Sequence, residues 1–157
     1  MLKSPFGVSK NLETGIVINT IHCDIVSAHR EIFSGKVTVV YASGVAGELG
    51  IYPHHAPLFT QLKPGSVRVR DEAGEEQYFY VDGGLLEVQP HIVTIMADTA
   101  ARGEELDRSA AESAKAEAER ALVNNTGGME LDEAHVKLIK AVSQLRTLDQ
   151  LRKRAKR

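Results

Sequence analysis

The periodicity of the chain changes once, near Asp98, and this break constrains the fold more than any other feature. Before it, short β-branched runs alternate with turn residues. After it, Ala, Glu and Leu recur at helical spacing. No aromatic residue follows Tyr80, and all five prolines precede residue 91. Charge divides at the same place: residues 18–101 carry 5 Lys+Arg against 10 Asp+Glu, and residues 102–157 carry 12 against 10. The expected fold class is therefore α+β by segment, an N-terminal antiparallel β-sandwich followed by a C-terminal antiparallel two-helix hairpin.

The first segment supplies strands with short connections. Ile21–Val26 and Lys36–Tyr41 are β-branched runs, each read as one strand. Ser66-Val67-Arg68-Val69-Arg70 alternates apolar and charged residues, the period of a strand with one wet face. Asp71-Glu72-Ala73-Gly74 has turn chemistry and leads into Gln77–Val81, which predicts a hairpin. Leu85–Val88 and His91–Met96 flank Pro90 as a further strand pair. Strands recurring without helical pattern between them indicate an antiparallel sandwich or barrel.

In the second segment, residues 104–123 form one expected helix. Glu104, Glu105 and Asp107 lie in its first turn, and Leu106, Ala110, Ala114, Ala118 and Leu122 fall four apart. Asn124-Asn125-Thr126-Gly127-Gly128 ends it, because Asn and Gly accept a left-handed backbone. A second helix starts near Met129, with Leu131, Leu138 and Leu145, and Ala134, Ala141 and Leu148, each recurring at seven. So short a break makes the pair antiparallel. Alanine contacts bury little surface, so the hairpin is expected to be marginal alone and readily detached, a mobile element with two docking states.

Length and composition exclude several functions. With 157 residues the chain suits one domain with an appendage, and its single cysteine, Cys23, cannot close an internal disulfide. Its net charge of −2 gives no nucleic-acid footprint. No apolar run approaches the ~20 residues that cross a bilayer, and residues 1–17 lack the apolar core of a secretory signal.

No catalytic, cofactor or metal site is expected. Gly44–Gly50 lacks the Gly-Lys-Ser/Thr ending of a phosphate loop and is read as turns and a bulge. His54-His55 has no paired partner spacing for zinc, and Pro53–Pro57 is read as a rigid loop whose histidines meet a partner. Asp71, Glu72, Glu75 and Glu76 surround a turn and are read as solvated. The basic end, Arg152 to Arg157, suits either a helix C-terminus or an acidic protein surface.

A motif run then carries a resemblance. Cys23–Ala28, Ile32–Gly35, Gly47-Glu48-Leu49-Gly50-Ile51-Tyr52-Pro53-His54-His55-Ala56-Pro57-Leu58, Leu62–Gly65, Gly83–Pro90, Val93–Ala100 and Lys140–Arg146 occur in order across almost 140 residues. In this run the chain closely resembles the epsilon-subunit family of the bacterial F-type ATP synthase. The resemblance implies a non-catalytic central-stalk subunit bound to the gamma subunit and the c-ring, peripheral to the cytoplasmic side of the inner membrane. It also implies coupling of proton flow to ATP synthesis and restraint of ATP hydrolysis through the C-terminal helices.

By position, Glu48 and His55 match the loop that in the family lies near the c-ring and gamma, with His54 where the family usually has Gly. Lys137, Lys140, Arg146, Arg152 and Arg154 are the expected contacts to acidic segments of the catalytic alpha and beta subunits. Some relatives bind ATP through Leu/Ile-Asp-x-x-Arg-Ala; here Leu106, Asp107 and Arg108 are the ATP candidates, but Ala110 stands in the arginine's place. The expected domains are a disordered N-terminal extension over 1–18 (or an upstream translation start), a rotor-binding sandwich over 19–101 and a regulatory hairpin over 102–157. The alternatives are an ATP-sensing regulatory subunit and a free-standing β-sandwich binding module.

Overall fold

The computed structural model describes residues 8–10, 17–124 and 128–156. Twelve strands, a 3-10 turn and two helices follow one another among them. Within the segment expected to be an unstructured extension, β1 (Val8–Lys10) pairs antiparallel with β2 (Val17–Asn19), Ser9 facing Ile18. The rest of that segment lies outside the described residues, as do Asn125-Thr126-Gly127 of the expected interhelical break.

Ten strands form one continuous sheet that folds over on itself as a near-barrel sandwich. They are β3 (Ile21–Ser27), β4 (Glu31–Val37), β5 (Val39–Gly44), β6 (Gly47–Ile51), β7 (Leu58–Leu62), β8 (Gly65–Arg70), β9 (Glu76–Val81), β10 (Gly84–Gln89), β11 (Ile92–Ala97) and β12 (Ala100–Arg102). Their order is β12-β9-β8-β5-β7-β10-β11-β3-β4, with β6 on β5. The core is fully buried Ile21, Ile25, Val37, Val40, Ile51, Val67, Val69, Phe79, Leu86 and Ile95, drawn from both layers. Alternation puts Val67 and Val69 inside and turns Ser66, Arg68 and Arg70 outward, as period two requires. Near the open seam the Arg102 guanidinium donates to the Ile32 carbonyl at 2.7 Å, linking β12 to β4.

Both expected hairpins form. Asp71 Oδ1 accepts the amides of Ala73 and Glu75, each at 2.9 Å, and fixes the β8–β9 turn. Gly84 opens β10 at φ +124°, where a Cβ would stand 2.2 Å from the Met96 carbonyl oxygen, so only glycine lets β10 start against β11.

Three local expectations are corrected. The run 36–41 is two strands, because the chain turns a corner at Thr38: its amide donates to the Arg70 carbonyl at 2.7 Å, and Val37, Val39 and Val40 are all buried. The sheet is antiparallel except where β11 runs parallel to β3, Ile95 beside Ile25. Those strands are joined through most of the sandwich rather than by a tight turn, so no hairpin forces their direction. The first helix, α1, is Arg108–Asn124, preceded by a 3-10 turn at Gly103–Glu105. Asp107 caps it, its Oδ1 accepting the amides of Ser109 at 2.9 Å and Ala110 at 3.2 Å.

The second helix, α2, is Gly128–Ala155 and lies along α1. The buried residues of α1 are Ala111 and Ala118, seven apart, while Ala110 is exposed. A four-residue step advances past a full turn and winds off one face; a seven-residue step stays on it. On α2, Ala134 and Ala141 are buried, with Leu131, Leu138, Leu145 and Leu148 half-buried. Replacing Ala118 by Leu should force the helices apart at a cost of about 1–3 kcal/mol. Hydrogen exchange checks this: amides of α1 and α2 should lose protection while those of β3, β8 and β11 keep theirs.

Candidate functional site

The outer face of β8 and β9 carries the seat for α2. Tyr78 and Tyr80 point outward yet are buried, because α2 packs across these strands. Burial and then the Asp82 carboxylate push the Tyr80 phenol well above its ordinary range, so it remains a neutral donor. Ser143 Oγ donates to the Pro64 carbonyl at 3.0 Å, and Lys140 Nζ meets Asp82 at 2.8 Å. Arg154 donates to the Glu75 carboxylate and to the Glu76 carbonyl. An Ala-poor, polar margin thus closes the contact between hairpin and sandwich.

Beside α2 the same face opens into a cleft of about 880 Å3. Its floor holds Tyr41, Ser66, Arg68 and Arg70, and its walls include Glu48 and Lys63 on one side and Arg146 and Lys153 on the other. The Arg68 guanidinium lies 4.1 Å from the Tyr41 ring centre. Glu76, whose side chain is 17% exposed, accepts from Arg70 Nη2 at 2.7 Å and from the Tyr78 hydroxyl at 2.8 Å. It is therefore not the solvated carboxylate expected from sequence. Desolvation alone would raise its carboxyl, but the Arg70 and Tyr78 hydrogen bonds and the charges of Arg68 and Arg70 outweigh it and hold the pKa below the usual glutamate value.

The candidate residues fall into separate groups. Glu48 sits at the start of β6, accepting from Ser43 Oγ at 3.1 Å with Lys63 Nζ 3.9 Å away. His54 and His55 lie beyond the other end of β6, against the β10–β11 turn, where the His54 amide donates to the Pro90 carbonyl at 3.1 Å. His54 stands edge-on to His91, ring centres 5.6 Å apart, and takes φ 65°, the conformation glycine favours at this position. Lys137 pairs with Glu117 across the two helices at 2.5 Å, Arg146 lines the cleft, and Arg152 is exposed near the end of α2.

The ATP candidates are engaged elsewhere. Asp107 caps α1, the Leu106 amide donates to the Gly103 carbonyl, and Arg108 binds Asp149 at 2.6 Å with Glu112 3.7 Å away. Beside them Arg108, Lys115 and Arg146 face Glu112, Glu119 and Asp149, which leaves no excess of positive charge for a phosphate chain.

His22, Asp24 and Ser34 meet outside β3 and β4, but His22 uses the same Nε2 toward Asp24 at 3.0 Å and Ser34 at 3.2 Å, so no relay runs through two ring nitrogens. Burial, then the Asp24 charge, pushes the Cys23 thiol up to about 12, which leaves it protonated and inert at neutral pH. Among the described residues no group of three or more His, Cys, Asp or Glu could hold a metal ion. No described helix is long and apolar enough to cross a membrane.

The structure adds an apolar face that sequence reading missed. Leu85 and Met96 are cross-strand partners, Val26 lies beside Met96, and Phe59 on neighbouring β7 is 64% exposed. The signal was present as apolar residues at the wet positions of alternating strands, which matters only once neighbouring strands align them.

If the Glu76 network stabilises the fold, Glu76→Gln should cost about 1–2 kcal/mol at neutral pH. The folded pKa is depressed, so this contribution is present above the ordinary glutamate value of 4.5 and is lost as pH falls through the lower folded value. Urea unfolding of both proteins from neutral to acid pH should therefore show the difference shrinking below pH 4.5.

Comparison with known proteins supports one family over the whole arrangement. Residues 20–103 match the family model "ATP synthase, Delta/Epsilon chain, beta-sandwich domain" and residues 104–149 match "ATP synthase, Delta/Epsilon chain, long alpha-helix domain". The chain is 52% identical over 140 residues to the ATP synthase epsilon chain of Alkalilimnicola ehrlichii, covering 89% of this chain and 100% of that one. It is 50% identical over 135 residues to the epsilon chain of Nitrosococcus oceani, covering 86% and 96%. In fold it resembles a chain of the Euglena gracilis mitochondrial ATP synthase, with TM-score 0.76, 21% identity and coverage of 94% and 91%. The chain belongs to the epsilon-subunit family of the bacterial F-type ATP synthase.

Proposed function

We propose that this chain is a non-catalytic central-stalk subunit that couples proton flow to ATP synthesis and restrains ATP hydrolysis through its helical hairpin. One observation carries the reading. The buried core cluster of the sandwich draws on strand residues throughout, Ile21 to Ala100, and includes no residue of α1 or α2. The sandwich can therefore stay folded while the hairpin leaves it.

In this proposal the sandwich is the permanent anchor, bound to the gamma subunit and to the c-ring. Phe59, Leu85 and Met96 offer an apolar face, and Glu48, His54 and His55 offer polar loops at either end of β6. The hairpin is the switch. Undocking releases Lys140 from Asp82 and Arg154 from Glu75, while Lys137 keeps its partner on α1. Freed Lys140 and Arg154 join Arg146 and Arg152 on one basic helix that suits acidic segments of the alpha and beta subunits. Each exposed pair is worth roughly 0–1 kcal/mol, so the docked and released states lie close enough for a partner surface to choose between them. The site of action is the cytoplasmic side of the bacterial inner membrane, reached through the complex.

Deleting residues 104–157 should raise ATP hydrolysis by the assembled enzyme without preventing assembly, and a hydrolysis assay on purified complex checks it. Unchanged hydrolysis in a fully assembled complex contradicts an inhibitory hairpin.

A further inference from the structure

Two tyrosines meet on the outer face of β5 and β6. The Tyr41 and Tyr52 hydroxyl oxygens lie 3.1 Å apart and share a hydrogen bond. Tyr41 stands opposite Gly50 in the β5–β6 register, and Tyr52 follows directly after β6, two residues further along the same face. Gly50 has no side chain to keep the rings apart. A Cβ placed there would lie 3.4 Å from Tyr41 Cε1 and 3.9 Å from Tyr52 Cε2. Both atoms are ring carbons ortho to the hydroxyl, so the two phenols turn their ortho edges toward one stretch of backbone. On the other side of β5, Arg68 is the register partner of Tyr41, and its guanidinium, 4.1 Å from the ring centre, steadies the ring from β8. Tyr52 is 54% exposed and Tyr41 is half-buried, so an oxidant reaches the pair from solvent. The single thiol of the chain, Cys23, is buried and does not compete for it.

We propose that Tyr41 and Tyr52 form an oxidative cross-linking site, closing to dityrosine under a one-electron oxidant of the peroxidase class. Each phenol gives up one electron and its hydroxyl proton. The two tyrosyl radicals couple at their ortho carbons, which forms one carbon–carbon bond. The hydrogen on each coupled carbon then moves to the neighbouring oxygen and restores both rings and both hydroxyls. Hydrogen peroxide takes up the two electrons and two protons and leaves as two waters. In the product the hydroxyls flank the new bond within hydrogen-bonding reach of each other, an arrangement the native pair already approaches. Holding the reacting groups together in this way removes most of the entropic cost of their encounter.

The bond would change the margin of the sheet. Among the described residues β6 pairs only with β5, so its other edge is unsupported. A covalent bridge at its C-terminal end holds it in place and anchors the start of the Tyr52–Pro57 loop, which carries His54 and His55. This chemistry belongs to the sandwich and does not depend on whether the hairpin restrains hydrolysis.

Treating the full chain at low concentration with peroxidase and hydrogen peroxide tests the site. The expected product is monomer-sized, lighter by two hydrogens and fluorescent as dityrosine. Glu48 is the only acidic residue between the two tyrosines, so cleavage after it leaves their peptides joined in the product and separate in the untreated chain. Tyr41→Phe and Tyr52→Phe should each abolish the monomeric product while keeping the ring. Gly50→Val retains both phenols but sets a branched side chain against both ortho carbons, and should lower the yield several-fold. Hydrogen exchange over residues 47–51 should slow in the cross-linked chain. Four results overturn the proposal: no dityrosine in the monomer; a monomeric product that persists in either Phe variant; a cross-link that maps to Tyr78 or Tyr80; or a yield unchanged in Gly50→Val.

Discussion

The seating of α2 on the outer face of β8 and β9 is the contact on which the rest of the structure turns. A sandwich of this kind needs only its inward face, where Val67, Val69 and Phe79 are fully buried. The outward face would ordinarily be wet. Here Tyr78 and Tyr80 give it an apolar strip ringed by hydroxyls, and α2 covers that strip with small and polar groups, Ser143 and Thr147 among them. Thr147 is buried and returns its hydroxyl to the Ser143 carbonyl, so the interface holds no unpaired group at that point. Small and polar groups at Ser143 and Thr147 keep that part of the surface compatible with water on separation, while Leu151 lies close to Gly103 beside Tyr78.

Electrostatics sharpens this balance. The acidic β8–β9 turn offers Glu75 to the basic end of α2, and Asp82 offers itself to Lys140. The positive helical segment and the negative sandwich thus attract one another within the chain. Any acidic surface elsewhere competes for the same cations. In the proposed switch the docked state is one of two uses of a single set of charges, and salt weakens both through screening.

Much of the architecture was legible in the residues. Period two in Ser66–Arg70 and the switch to helical spacing after Asp98 gave the strands, the hairpins and the helical pair. What was hidden depends on partners distant in sequence. Thr38 bends the chain because it finds Arg70, and the parallel pairing of β11 with β3 follows from closing the sandwich rather than from any turn. Of the four-apart series on α1, Ala118 is buried and Leu106, Ala114 and Leu122 are half-buried, but Ala110 is exposed, because a four-residue step drifts off a helical face over several turns. At the candidate site, Arg154 was visible as a cation, but its pairing with Glu75 was not. The neighbours of Glu76 in sequence suggest a solvated carboxylate, since nothing local shows that Arg68, Arg70 and Tyr78 converge on it. Glu48 and His54-His55 share one motif, yet β6 holds them apart.

The most direct test of a detachable hairpin is a distance between the two walls of the cleft within the assembled complex. Spin labels at introduced cysteines, Lys63→Cys and Gln150→Cys, report it without interference from Cys23, whose thiol is buried. The account predicts two populations, one at the short separation of the docked state and one much longer, whose ratio changes between synthesis and hydrolysis conditions. A single short distance under every condition would contradict it.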